Sequence, residues 1–362
     1  MTRLSRKDFL RILTAGAGTL AADQILIACG QQPEQKATST PLPSATTRIA
    51  ATDTAIPTQP VIPTVTDQPQ ETRVGNEAIS TATIAPSPTS ASPPDLVVVR
   101  HGEPEILVQR AIQALGGMGL FVKSGDLVII KPNICVAGRS PEYAATTNPW
   151  VIGALVKLCL EAGAAKVSVM DTPFNGTAEE AYTTSGIRAQ VEAAGGEMAY
   201  MPGFKYVSVD IPNGKSLHKT AINDDVLKAS VFINVPIAKD HGSTRLTLGM
   251  KNLMGVIKNR QTLHSDLGQN IADLASRVRP TLTVIDAVRI LTANGPTGGD
   301  LNDVKKLDTL IASTDIVAAD SYAATLFGLQ PSDIEYIVAG AAMGLGRSDL
   351  SSLNIAEINI GA

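Results

Sequence analysis

Four short runs constrain this chain more than anything else in it: Leu127–Lys131 (LVIIK), Val167–Asp171 (VSVMD), Val231–Val235 (VFINV) and Leu282–Ala287 (LTVIDA). Each is apolar on both faces of a strand and carries a polar residue at or near its end: Lys131, Asp171, Asn234 and Asp286. A strand with one wet face alternates, whereas one covered by helices on both sides is apolar nearly throughout. Helix-period segments lie around and between these runs, near Glu105–Leu115, Trp150–Ala162, Ala178–Ser185, Ile187–Ala194, Asn270–Arg279, Ile316–Phe327 and Ile334–Ala342. Further strands are expected at Leu96–Val99, Leu310–Ser313 and Asn354–Asn359. The pattern predicts an α/β fold, a mostly parallel sheet flanked by helices. Tyr206–Asp210 departs from it by alternating before Pro212-Asn213-Gly214, which predicts a small antiparallel hairpin excursion.

The N-terminus speaks to location. Arg3, Arg6, Lys7 and Arg11 precede a weakly apolar stretch, Ile12–Ala22, and Leu26-Ile27-Ala28-Cys29 closes it. That order predicts a signal peptide over residues 1–28, too short and too rich in small residues to span a bilayer. Ser5-Arg6-Lys7-Asp8-Phe9-Leu10 resembles a twin-arginine export motif with Lys7 at the second arginine, and Leu-Ile-Ala-Cys resembles a lipobox. Cys29 is therefore expected to carry lipid, making the protein an exported one anchored on the extracytoplasmic face of the membrane. Residues 29–95 read as a tether: Gln31–Pro94 is crowded with Pro, Thr and Ser and has no aromatic residue. Such a segment cannot bury enough apolar surface to offset its ordering entropy. At about 3 Å per extended residue, less bending, it reaches on the order of 100 Å.

Residues 96–362 have globular composition. The formal charge of −4 and the lack of basic clusters exclude a nucleic-acid partner. Beyond Cys29 only Cys135 and Cys159 remain, too few for an iron–sulfur cluster. They read as buried thiols, with a disulfide as the alternative.

In open parallel sheets, ligands bind at the carboxyl ends of the strands, so Lys131, Asp171, Asn234 and Asp286 are expected to converge. Lys239 and His241 follow Pro236, and a helix expected over Thr244–Val256 places Thr244, Thr247 and Lys251 on one face. Lys239, His241 and Lys251 are the candidate catalytic groups, as anion binders or acid–base residues. Asn133, Asn252 and His264 join Lys131 as candidate ligand contacts. The Asn294–Gly299 loop offers Gly295 and Gly298, whose backbone amides could wrap an anion. Asp320 lies in an apolar run and calls for a partner, with Lys251 or Lys131 the nearest in character; Asp286 is a further candidate partner for Lys251. Asp171, Asp286 and Asp320, with His241 and His264, would suit a hard or borderline divalent ion, although no tight spacing such as His-x-x-x-His occurs.

At these residues the chain resembles the family called domain of unknown function 362. The resemblance rests on IIKPN (Ile129–Asn133), TTNP (Thr146–Pro149), EAGAAKVSVMDTP (Glu161–Pro173), INVPIAKDHGSTRLTLGMKNLMGVI (Ile233–Ile257), IDA (Ile285–Ala287) and NGPTGG (Asn294–Gly299). It implies no established reaction. Some members carry ferredoxin-type modules, whose cysteines this chain lacks. The order Lys-Pro-Asn, Lys-x-His, Lys-Asn is also similar to that of the nickel-pincer lactate racemases, which implies racemase- or isomerase-like chemistry as one alternative. The leading expectation is a membrane-tethered enzyme acting on a small anionic molecule. Its rival is a lipid-anchored solute-binding or scaffold protein without turnover.

Overall fold

A computed structural model describes residues 93–361; the leader, Cys29 and nearly all of the tether lie outside the described residues. The main sheet has ten strands among the described residues: β1 (Leu96–Arg100), β2 (Leu127–Pro132), β3 (Lys166–Val169), β4 (Glu197–Met198), β7 (Val231–Val235), β10 (Leu282–Leu291), β11 (Val304–Ser313) and β12 (Ile355–Asn359), with β8 (Ile237–His241) pairing β10 and β9 (Arg245–Thr247) pairing β8 at its side. Their order is β12-β1-β11-β10-β7-β2-β3-β4. The run β10-β7-β2-β3-β4 is parallel throughout, and β11 alone is antiparallel to both of its neighbours, β1 and β10. A separate antiparallel pair, β5 (Tyr206–Asp210) and β6 (Lys219–Asn223), is the expected excursion.

Nine helices flank the sheet among the described residues: α1 (Pro104–Ala114), α2 (Pro149–Glu161), α3 (Ala178–Thr184), α4 (Ile187–Ala193), α5 (Asp224–Lys228), α6 (Gly249–Asn252), α7 (Leu267–Arg277), α8 (Ile316–Thr325) and α9 (Glu335–Ala342). Alternate strand residues feed two cores. Val97, Val99, Val128, Ile130, Ile233 and Val284 pack with α1 and α2, while Val98, Ile129, Phe232, Ile285 and Ile311 pack with α7, α8 and α9. Burial on both faces is why these strands read as unbroken apolar runs.

The stretch after β7 differs from the expected helix. Pro236 ends the strand, but the chain resumes as β8 (Ile237–His241) and turns back as β9 (Arg245–Thr247), before the single turn of α6 and a 3-10 turn, Leu253–Val256. Ile237, Lys239 and His241 fall on one face of this strand, with Ala238 and Asp240 on the other. Arg245 turns the hairpin at φ 61. Thr244 and Thr247 thus share no helical face with Lys251. The Leu282–Ala287 strand also runs longer than expected, to Leu291, and its partner β11 starts at Val304. The glycine-rich Asn294–Gly299 segment is therefore the connection of a long hairpin.

Candidate functional site

The carboxyl ends of β2 and β7 are knotted together by side chains. Thr147 accepts the Asn133 N–H at 2.8 Å and donates to the Val235 carbonyl at 2.8 Å. Asn148 accepts from the Trp150 N–H and so starts α2, with Pro149 at its first position. The TTNP motif is thus a clamp between two strand ends.

A polar network lies above that clamp. Lys131 is fully buried and its Nζ reaches Asp171 Oδ1 at 2.8 Å, the Pro132 carbonyl at 2.9 Å and Asn252 Oδ1 at 3.1 Å. Burial holds the Lys131 ammonium below the ordinary lysine range, the neighbouring Asp171 opposes that shift, and the charges of Arg260 and Lys239 reinforce it. Asp171 Oδ2 accepts the Ile134 N–H at 2.7 Å. Asn252 also accepts from Asn133 Nδ2 at 3.0 Å and donates to Asn234 Oδ1 at 2.9 Å; Asn234 in turn donates to the Gly249 carbonyl at 2.9 Å. Gly255 packs directly over the ion pair: a Cβ there would lie 2.4 Å from Asp171 Oδ1 and 2.6 Å from Lys131 Nζ.

The β8–β9 hairpin forms the opposite wall. Lys239 and His241 are two apart on β8 and share a face, and Thr247 is the cross-strand partner of Lys239. Lys239 is fully buried, yet its Nζ meets only neutral acceptors: the Ala145 carbonyl at 2.6 Å, the Pro296 carbonyl at 2.9 Å and Cys135 Sγ at 3.2 Å. It makes no ion pair among the described residues. His241 Nδ1 accepts the Ser243 N–H at 3.1 Å, which puts the proton of a neutral ring on Nε2. Burial, then the charges of Lys251 and Lys239, push His241 down to about 2, so the ring is neutral at physiological pH.

Between these walls lies a cavity of about 60 Å³ lined by Lys131, Asn133, Cys135, Asp171, Lys239, His241, Thr247, Lys251, Asn252 and Arg260, with Ile134, Phe174, Met254 and Pro296 among its other contacts. A water needs roughly 10–15 Å³ on this scale, so the space suits a few waters or one small anion. Four cationic side chains line it against one carboxylate. Lys251 is half-buried, its Nζ 3.8 Å from Met254 Sδ. Arg260 donates to the Thr172 carbonyl.

Several expected site residues fall elsewhere. Asp286 is buried outside the cavity, its two oxygens accepting the Asn148 and Val288 N–H groups at 2.7 and 3.0 Å. Asp320 accepts the Gly249 and Met250 N–H groups at 2.6 and 2.9 Å. Its partner is thus the N-terminal backbone of α6, not Lys251 or Lys131; nor is Asp286 bonded to Lys251. Burial pushes Asp286 up to about 6 and Asp320 up to about 7. With their oxygens spent on backbone donors, neither shares a metal site with Asp171, and no group of three or more His, Cys, Asp or Glu side chains suited to a metal gathers among the described residues. His264 sits on the 3-10 turn Arg260–Ser265 outside the cavity lining, where burial and the Lys251 charge lower its pKa. Gly295 donates to Asp240 Oδ2 and Gly298 packs beside Leu291, so neither lines the cavity; Pro296 represents their loop there. Cys135 and Cys159 are separate buried thiols.

The site also contains residues that the sequence did not single out. Arg260 follows Lys258 and Asn259 in what reads as a solvated turn, and Cys135 reads as packing. The four-residue distance of Cys135 from Lys131 was the one available signal.

Fold and site together define a doubly flanked α/β protein with a small, cation-lined cavity at the carboxyl ends of its parallel strands. The sequence match gives it a family: residues 128–325 match the domain of unknown function (DUF362), and the chain belongs to that family. It is 30% identical over 243 residues to the thylakoid-associated protein sll1697 of Synechocystis, a match covering 65% of this chain and 73% of that protein. Among solved structures, the lactate racemase apoprotein from Thermoanaerobacterium thermosaccharolyticum is similar at 15% identity with a TM-score of 0.44, covering 66% of this chain and 57% of that one.

Proposed function

We propose that this protein is a membrane-tethered extracytoplasmic enzyme that acts on a small anionic molecule in the cavity between the β2 and β7 ends and the β8–β9 hairpin. The observation that carries this reading is the cavity's charge: among the described residues Lys131, Lys239, Lys251 and Arg260 line it against one carboxylate, Asp171. In a low-dielectric site an anion would be strongly favoured there. Lys131 and Lys239 spend their hydrogens on protein acceptors and supply field rather than contacts. Lys251, Arg260 and the Nε2–H of His241 are the groups that would touch the anion. The displaced pKa of His241 in a cleft supports catalysis, with its neutral imidazole stabilising negative charge that develops on a substrate oxygen.

A binding protein without turnover is the second reading, and it has support of its own. Both fully buried lysines are saturated, and a binder needs only complementary donors. The tether is part of the proposal: the lipobox-like Cys29 and the Pro-rich segment support it, and the name of the Synechocystis relative is compatible with a membrane location. Among the described residues no helix is long and apolar enough to cross a membrane.

A thermal-shift screen of the purified protein against phosphate and small carboxylates tests the anion site. Stabilisation is expected to grow with the logarithm of anion concentration and to weaken in Lys251→Met. No shift with any anion at high concentration would reject the site. NMR of a bound carboxylate over time separates turnover from binding.

A further inference from the structure

We infer that the anion this cavity takes carries its own hydrogen-bond donor, as a protonated phosphate or a hydroxy-carboxylate does, and that bare acceptors such as sulfate are discriminated against. The inference rests on the anion-binding reading above and narrows it.

Lys131 fixes the direction of every hydrogen bond around it. An ammonium can only donate, so the Asn252 atom it meets at 3.1 Å must be the amide oxygen. That choice fixes the neighbours. Asn252 Nδ2 faces Asn234 Oδ1, Asn234 Nδ2 faces the Gly249 carbonyl, and Asn133 must present Nδ2 to the same Asn252 oxygen. The amide of Asn133 is thereby oriented, and its Oδ1 is left buried with no hydrogen-bond partner among the described residues.

An orphaned buried acceptor is costly. This one belongs to a residue that lines a cavity where, beside the Asp171 carboxylate already paired with Lys131, donors gather, among them Arg260, the Nε2–H of His241 and the hydroxyl of Thr247. The Thr247 Oγ1 is itself buried and has no hydrogen-bond partner among the described residues, on a residue only 4% exposed. A hydroxyl can donate to an anion or accept from it, whereas a carbonyl oxygen can only accept. Against Asn133, a bare oxyanion sets lone pair against lone pair; an oxyanion bearing an O–H supplies the missing proton while its charge meets the cationic wall. At about 60 Å³ the cavity matches inorganic phosphate or glycolate in bulk.

Two isosteric pairs test this by titration calorimetry on the full-length protein at neutral pH and fixed ionic strength. Phosphate is compared with sulfate, and glycolate with propionate, in which a methyl replaces the hydroxyl. The donor-bearing member of each pair is expected to bind roughly tenfold or more tightly than its isostere. Asn133→Leu keeps the bulk and removes the acceptor, and should bring each pair to within about threefold. The wild-type comparison decides the matter even if that variant does not fold. Equal affinities within both pairs, or preference for sulfate and propionate, would overturn the inference and leave the anion site standing. Binding of none of the four would overturn both.

Discussion

Replacing Lys131 with Met is the most informative single perturbation of this architecture. Methionine keeps the stem's bulk but removes the ammonium, and with it the ion pair to Asp171 at 2.8 Å and bonds to the Pro132 carbonyl and Asn252 Oδ1. Asp171 is only 4% exposed and would retain the Ile134 N–H on Oδ2, leaving Oδ1 without its ammonium. Removing one member of a buried pair costs about 3–5 kcal/mol, because the remaining charge is stranded. For a domain of this size that corresponds to a fall in Tm of roughly 6–20 °C. Denaturant unfolding of Lys131→Met, Asp171→Asn and the double variant measures it. Asn keeps an acceptor for the Ile134 N–H, so the double variant should be more stable than Lys131→Met alone, with a coupling energy of about 2 kcal/mol or more. A loss under about 1 kcal/mol in Lys131→Met, or no recovery in the double variant, would refute the view that this pair organises the cavity floor.

Other consequences are equally concrete. In the folded state His241 sits far below its ordinary value of 6.5, at about 2. The unfolded chain therefore takes up a proton that the folded state refuses, and stability falls as pH drops below 6.5. His241→Gln should escape that loss, gaining about 2–3 kcal/mol on wild type between pH 6.5 and 4.5 in denaturant titrations. The opposite contributions of Asp286 and Asp320, whose folded values are raised, are common to both proteins and cancel; parallel pH profiles would contradict the burial of the ring. Gly255→Ala would force a methyl into Lys131 and Asp171, costing about 1–3 kcal/mol and weakening anion binding; an unchanged melt would show that the turn gives way freely. Lys251→Met should weaken anion affinity in calorimetric titrations; an unchanged affinity would remove Lys251 from the anion contacts. Cys29→Ser should release the folded domain from membranes, acyl chains contributing about 0.8 kcal/mol per buried CH₂; retention in the membrane fraction would remove the lipid anchor.

The sheet was legible because burial on both faces leaves a sequence signature: strands such as Leu127–Lys131 and Val231–Val235 are apolar at consecutive positions. The cavity lining was legible only in part: Lys131, Asn133, Asp171, Lys239, His241, Lys251 and Asn252 line it, while Asp286, Asp320, His264, Gly295 and Gly298 do not. Lys239 and His241 are two apart, a strand period, yet the apolar residues after them also fit a helix, and only the turn at Arg245 and the β8–β9 register resolve the choice. Asp286 and Asp320 show why a buried carboxylate is ambiguous in sequence. Both sit in apolar runs as a catalytic or metal-binding acid would, but their partners are backbone N–H groups distant along the chain, which no residue type announces. Gly249 is the nearest hint, since a Cβ there would lie 2.6 Å from Asp320 Oδ1. Arg260 left no hint, because an arginine in a polar turn looks the same whether it faces solvent or a cavity.

A small oxyanion bound between Lys251, Arg260 and His241 would be visible by crystallography. Anomalous diffraction at the arsenic edge, from crystals of the protein soaked in arsenate, locates such an ion directly, because arsenate has the shape and the protons of phosphate. One strong peak is expected in the cavity, with arsenate oxygens within about 3 Å of the Arg260 guanidinium and His241 Nε2. A saturated crystal with an empty cavity, or with arsenate only on the outer surface, would contradict it.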